Sequence, residues 1–313
     1  MIALAPLLLY VAGAGRQVPV PAPAGTLVVF NAGSLAHPIR RLFEAFTARY
    51  PRVRPQAETS GSIDVARKLT ELGKIPDVVA TADYAVIEQL LMPAFATWHV
   101  SFASNAMVVA YSAKSRGAGQ INGANWIDML RRPRIRVGRS NPALDPGGYR
   151  ALMIFQLAER HYRRPGLAQA LEHSSPSRFM RPKEVELVGL LEAGEIDYAI
   201  FYRSIAKQTE LPFVDLPKEI NLSDPTFASS YAAARVAVPK SRSSSDSLVF
   251  RGEPIVYAMT IPTRAANPAA ARAFVTFVLG REGQRILTQS GFVTLPRPIL
   301  KGDSAQAKGI VPP

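Results

Sequence analysis

Three times before Leu91 an apolar run gives way to a short turn and then to a stretch of helical periodicity, and this repeat constrains the fold more than any other feature. Thr26 to Phe30 (TLVVF) reads as a buried strand, Asn31-Ala32-Gly33-Ser34 as a turn, and Leu35, Ile39, Leu42, Phe43 and Phe46 share one helical face. The extended segment Val53 to Glu58, the turn Thr59-Ser60-Gly61-Ser62 and a helix carrying Ile63, Ala66 and Leu69 repeat it. Asp77 to Ala80, then Asp83, then a helix through Ile87, Leu90 and Leu91 make the third unit. Strands alternating with helices at this spacing predict an α/β fold with a mostly parallel sheet and right-handed crossovers.

Ser34 and Ser62 occupy the same place in two successive units, each opening a helix after a strand. Hydroxyls and free backbone N–H groups would then meet at one sheet edge, which is an anion site built from neutral donors. Taken singly, each serine reads as an ordinary N-cap.

The later chain continues in the same grammar. Asn105 to Ser112 (NAMVVAYS) predicts a long strand and the crossing to a second series of elements. Arg131 to Arg139 holds five arginines, with Ile135 and Val137 alternating among them as in a strand. Asn141 to Arg150 (NPALDPGGYR) is a dense turn in which Asp145 reads as a turn residue, followed by a helix through Ala151, Ile154 and Leu157. Arg181 to Ser204 then packs a helix, a stop and a strand into one stretch. Pro182 suits a first turn, Val185, Val188 and Leu191 repeat at helical spacing, and Gly194 ends the helix. Glu184 is thereby expected in the first turn, where an acid complements the helix dipole. The strand Tyr198 to Phe201 delivers Tyr202 to its C-terminal edge, and such edges are where open α/β sheets bind ligands. Leu211 to Asp224 reads as a loop carrying Glu219, Ser241 to Ser247 as a mobile serine-rich loop, Ile255 to Ile261 as a strand, Asn267 to Ser290 as one or two helices, and the chain from Leu300 as a disordered tail.

Composition removes several function classes. The 313 residues contain no cysteine, which excludes disulfides, thiolate metal sites, cysteine nucleophiles and a lipid anchor on cysteine. A net charge of +13 favours anionic partners, but no aromatic interleaving or nucleic-acid module accompanies the arginines, so nucleic acid is not expected. No nucleophile elbow, phosphate-binding loop, dinucleotide fingerprint or zinc-helix motif occurs, and His37, His99, His161 and His173 lack metal-like spacing. No cofactor is expected. Residues 2–13 (IALAPLLLYVAG) have the length of a signal-peptide core rather than of a membrane span, and Gln17 to Gly25 reads as a proline-rich spacer.

Five motifs in order resemble the exported substrate-binding proteins of molybdate and tungstate ABC transporters, in the form widespread in archaea. They are NAGSL at 31–35, SGSIDVARKL at 60–69, DVVATADY at 77–84, NPALDPGGYR at 141–150 and RPKEVELVGLLEAGEIDYAIFYRSIAKQ at 181–208. The resemblance spans about residues 26–298. It implies a two-lobed periplasmic-binding-protein fold of type II, with residues 26–108 and 255–300 forming lobe 1, 109–254 forming lobe 2, and 301–313 a tail. It further implies an exported, monomeric protein, not an enzyme, that passes a small oxyanion to a membrane permease. Ser34, Ser62 and Tyr202 match the family's hydroxyl donors, and Asp145 and Glu184 match two acids that bind the metal centre of the anion. Glu219, in PKEINL, also fits a family pattern and is the alternative second carboxylate. Gly147 stands where relatives commonly carry cysteine.

A carboxylate facing an oxyanion is repelled by it, so two would be out of place in a sulfate or phosphate site. Molybdenum(VI) and tungsten(VI) can exceed four ligands and accept hard oxygen donors, so Asp145 and Glu184 would complete an octahedron with four oxo groups. The same acids would reject sulfate and phosphate. Two other readings use the same residues: a ferric-ion carrier with Asp145, Glu184 and Tyr202 as ligands, and a periplasmic hydrolase using the two acids.

Overall fold

The computed structural model describes residues 22–310, so the expected export segment and the spacer up to residue 21 lie outside the described residues. The first repeat forms β1 (Gly25–Ala32) and α1 (Ala36–Arg49), the second β2 (Val53–Ser60) and α2 (Ser62–Thr70), and the third β3 (Val78–Thr81) and the short α3 (Tyr84–Val86). β1 lies parallel to both β2 and β3, as the spacing predicts. β4 (Trp98–Ser104) then runs antiparallel to β12 (Val256–Thr260), which itself pairs antiparallel with β3.

The chain changes sheets at Asn105–Ala106, and the expected long strand begins only at Met107. β5 (Met107–Tyr111) opens a second sheet with β6 (Val137–Ser140), β7 (Met180–Arg181), β8 (Tyr198–Tyr202) and β9 (Phe213–Asp215). Its helices are α4 (Trp126–Leu130), α5 (Pro146–His161), α6 (Leu167–Ser174), α7 (Glu186–Ala193), α8 (Arg203–Gln208) and α9 (Ala228–Tyr231). A separate antiparallel hairpin of β10 (Arg235–Pro239) and β11 (Ser247–Arg251) encloses the serine-rich loop. β12 returns the chain to the first sheet, followed by α10 (Pro268–Leu279), α11 (Arg281–Gln289) and β13 (Val293–Gly302).

The sheets, ordered β13-β4-β12-β3-β1-β2 and β7-β6-β8-β5-β9, are therefore mixed rather than mostly parallel. β4, which carries the chain out of the first sheet, keeps the direction of the βα units, whereas the returning strand β12 and the edge strand β13 run against them. Apolar runs buried on both faces look alike in either direction, so their sequences did not announce this. The expected disordered tail also needs correction: Leu300 and Lys301 pair with Val100 and His99, and Ala307 and Ile310 are buried. Pro296 and Pro298 fall where the β13 register shifts between Thr294 and Ile299, on an edge strand that tolerates proline.

The first sheet is closed on one side by an aromatic cluster. Phe46 from α1 meets Phe274 and Phe277 from α10 at 5.3 and 5.5 Å between ring centroids, and Phe43 meets Phe274 at 5.3 Å. Phe274 is fully buried. Phe274→Ala is expected to cost about 3–5 kcal/mol of stability in denaturant unfolding, through lost burial and the cavity left behind.

Candidate oxyanion site between the two sheets

The two sheets face each other across a cleft, and five side chains singled out in the sequence, Ser34, Ser62, Asp145, Glu184 and Tyr202, are all buried there. Asp145 ends the loop after β6 and immediately precedes α5. That loop is held by its own bonds: the Ala143 N–H donates 2.9 Å to Asn141 Oδ1, and the Leu144 and Asp145 N–H groups each donate 3.0 Å to Asn141 O. Asp145 occupies the N-cap position of α5 but makes no cap hydrogen bond, so its carboxyl is not a turn device.

Glu184 differs from expectation. The helix begins at Glu186, not near Pro182, because Leu187 N–H donates to Glu184 O at 2.9 Å and makes a tight turn there. Glu184 thus sits in the turn ahead of the helix and points into the cleft. A Cβ added at Gly33 would come 3.3 Å from Glu184 Oε2, and one at Gly147 would come 2.4 Å from Oε1. Asp145 has the matching place at the other serine turn, its Cβ 2.9 Å from where a Gly61 side chain would begin. Each carboxylate therefore faces one serine turn. Glu219 is elsewhere, partly exposed near Arg160 and His161, and does not join the pair.

Asp145 and Glu184 are both 0% exposed, and their carboxyls lie close enough to share a proton with each other. Burial pushes the Glu184 carboxyl well above the ordinary carboxylate range, and the adjacent Asp145 carboxylate pushes it further. Burial also raises Asp145. Without a ligand the pair titrates as one site that holds on to a proton.

Two of the hydroxyls have a fixed polarity. Ser62 Oγ accepts from the Ala82 N–H at 3.0 Å, which leaves its own proton for the cleft. Tyr202 Oη accepts from Arg150 Nη1 at 2.6 Å, again leaving its proton to donate. Burial holds this phenol well above its ordinary value, against the pull of the Arg150 guanidinium. Ser34 Oγ lies 2.8 Å from Tyr257 Oη. Asn105 Oδ1 accepts from the Ala106 and Ser204 N–H groups, so Asn105 Nδ2 donates to Tyr257 Oη at 3.3 Å, and either hydroxyl of the Ser34–Tyr257 pair can donate to the other. Ser62 and Tyr202 thus each keep a proton to donate, as an oxyanion requires. Neither serine caps its helix: Ser34 lies in a 3-10 turn before α1, and Ser62 is the first residue of α2.

Tyr257, Asn105, Arg150 and Asp83 were missed from sequence because their roles depend on partners far along the chain. Arg150 closes the NPALDPGGYR motif, but nothing local shows that it reaches Tyr202.

The model of the bacterial extracellular solute-binding proteins matches residues 27–293. The chain belongs to this family. This solute-binding protein is 41% identical over 267 residues to an uncharacterized solute-binding protein of Petrotoga mobilis, covering 85% of this chain and 83% of that one. It is 34% identical over 313 residues to the molybdate/tungstate-binding protein WtpA of Thermococcus kodakarensis, covering 91% and 87%. Among solved structures, the periplasmic molybdate-binding protein of Azotobacter vinelandii shares the fold, with a TM-score of 0.62 at 17% identity over 87% of this chain and 100% of that one. The solute-binding protein is thus a two-lobed α/β receptor of an ABC-type transporter that works with a membrane permease. No helix among the described residues is long and apolar enough to cross a membrane.

Because the ligand-free Glu184 carboxyl is raised, the closed protein binds more protons than the unfolded chain as pH climbs past the ordinary carboxylate value. Its stability therefore falls with rising pH. Glu184→Gln is expected to raise the ligand-free thermal midpoint near neutral pH and to flatten its decline over the range above the ordinary glutamate value of 4.5. Thermal scans across that range check both.

Proposed function

We propose that this protein is the extracytoplasmic receptor of a tungstate or molybdate importer, in which Asp145 and Glu184 bind the metal centre directly. The observation that carries this reading is the pair of carboxyls, each 0% exposed, that lie against each other. Stranded carboxylates cost several kcal/mol of desolvation unless something compensates them, and a Lewis-acidic centre would do so. Ser34, Ser62 and Tyr202 would hold the oxo groups. Sulfate and phosphate offer the carboxylates no open coordination position and would meet only repulsion. The relatives named for molybdate and tungstate support the same ligand class. Residues 1–25 fit the role of export segment and spacer.

A ferric carrier would need Tyr202 as a deprotonated ligand, whereas burial favours the neutral phenol and Arg150 already donates to its oxygen. Isothermal titration separates the readings. Wild type is expected to bind tungstate and molybdate but not sulfate or phosphate. Asp145→Ala and Glu184→Ala should each weaken tungstate binding by more than the roughly 10- to 100-fold typical of residues one step removed from a metal. Wild-type affinity in both variants, or a coloured Fe(III) complex formed in preference to tungstate, contradicts the proposal.

Gly61 gives a second check. A Cβ there would lie 2.3 Å from Leu144 O across the cleft, although its φ of −62° and ψ of 146° suit any residue. Because that contact is present without ligand, Gly61→Ala should lower the ligand-free thermal midpoint and remove most of the tungstate-induced upward shift.

A further inference from the structure

We propose that Arg67 and Arg150 are reciprocal positioning residues that hold the cleft closed, each carried by one lobe and bonded to the backbone of the other. Arg67, on α2 beside the first sheet, is 3% exposed. Its Nη1 donates 3.0 Å to Ala143 O, in the loop that carries Asp145, and its Nη2 donates to Pro239 O at the end of β10. Arg150, on α5 beside the second sheet, is also 3% exposed. Its Nη1 donates 2.7 Å to Ala82 O and its Nη2 pairs with Asp83 Oδ2 at 2.8 Å, both just beyond β3. Tyr149 adds a hydrogen bond to the same Asp83 oxygen.

Both guanidiniums stand one step from the site. Ala82, whose carbonyl accepts from Arg150, is also the residue whose N–H donates to Ser62 Oγ, and Arg150 also fixes the Tyr202 hydroxyl. Next to the Ala143 carbonyl, Leu144 O accepts from the Ile63 and Asp64 N–H groups at 3.0 and 3.2 Å, and Asp145 follows. Opening the cleft would strip the cross-lobe acceptors from two buried cations at once. Buried charges without partners are strongly unfavourable, so the open lobes must hydrate both guanidiniums, and closure regains the bonds together. The planar, multiply donating guanidinium suits this use better than an ammonium would. The proposal takes its ligand from the tungstate or molybdate reading but predicts closure independently of it.

The test is an interlobe distance measurement by paired spin labels on the full chain. The protein has no native thiol, so Lys74→Cys and Gln169→Cys place one label on an exposed position of each lobe. Arg67→Gln and Asp83→Asn are compared with the unsubstituted background, without ligand and at saturating tungstate. Each variant is expected to shift the saturated population toward the longer, open distance and to weaken tungstate binding by about tenfold or more. If the arginines merely support the fold around the site, affinity falls but the saturated protein still closes fully, and that outcome overturns the proposal. Full closure with wild-type affinity overturns it as well. If the background protein binds no tungstate, the ligand reading fails on its own, and the ligand-free distances decide: a closed fraction lower in both variants than in the background supports the latch, and an unchanged one contradicts it.

Discussion

Two carboxyls are held against each other, fully buried, and the surrounding structure is arranged to permit it. Asp145 comes from the loop before α5 and Glu184 from the turn before α7, both in the second lobe. Each lies against a glycine-serine turn of the first lobe. Like charges at that separation, removed from water, resist ionisation and destabilise the closed protein. A receptor tolerates that cost only if its ligand cancels it, which turns a defect of the ligand-free state into selectivity for an anion whose central atom accepts more oxygen.

The donors follow the same logic. A hydroxyl can give or accept, and an anion site needs it to give. Here the direction is imposed from behind by Ala82 N–H on Ser62 and by Arg150 on Tyr202, while Asn105 and Tyr257 hold Ser34 in place. Asn105 sits at the crossing between the sheets and Tyr257 on the returning strand, so the segments that join the lobes also orient the first serine. In the proposed reading, closure and ligand recognition share these segments.

Much of this was legible in the sequence, and the gaps have physical causes. The βα repeats placed Ser34 and Ser62 at equivalent turns because strand and helix periodicities are local. Their expected role as N-caps was wrong because Tyr257 and Ala82 bond them instead, and no local pattern reports a partner 223 residues away. The α7 start was misplaced because Pro182 fits a first turn, whereas the tight turn at Glu184 ends only at the bond from Leu187. The reversed direction of β12 was invisible for want of any directional signal in a buried apolar run. Arg150 was visible as a letter in a motif, but its function needs Tyr202, Ala82 and Asp83 to be brought together.

The central claim is that two protein carboxylates enter the coordination shell of the bound metal. Molybdenum K-edge absorption spectroscopy of the molybdate-saturated protein reads that shell directly. The account predicts an octahedral oxygen shell, with two carboxylate oxygens longer than the four oxo bonds, and a weakened pre-edge feature relative to free molybdate. An unchanged tetrahedral spectrum would mean that Asp145 and Glu184 do not bind the metal, and would contradict it.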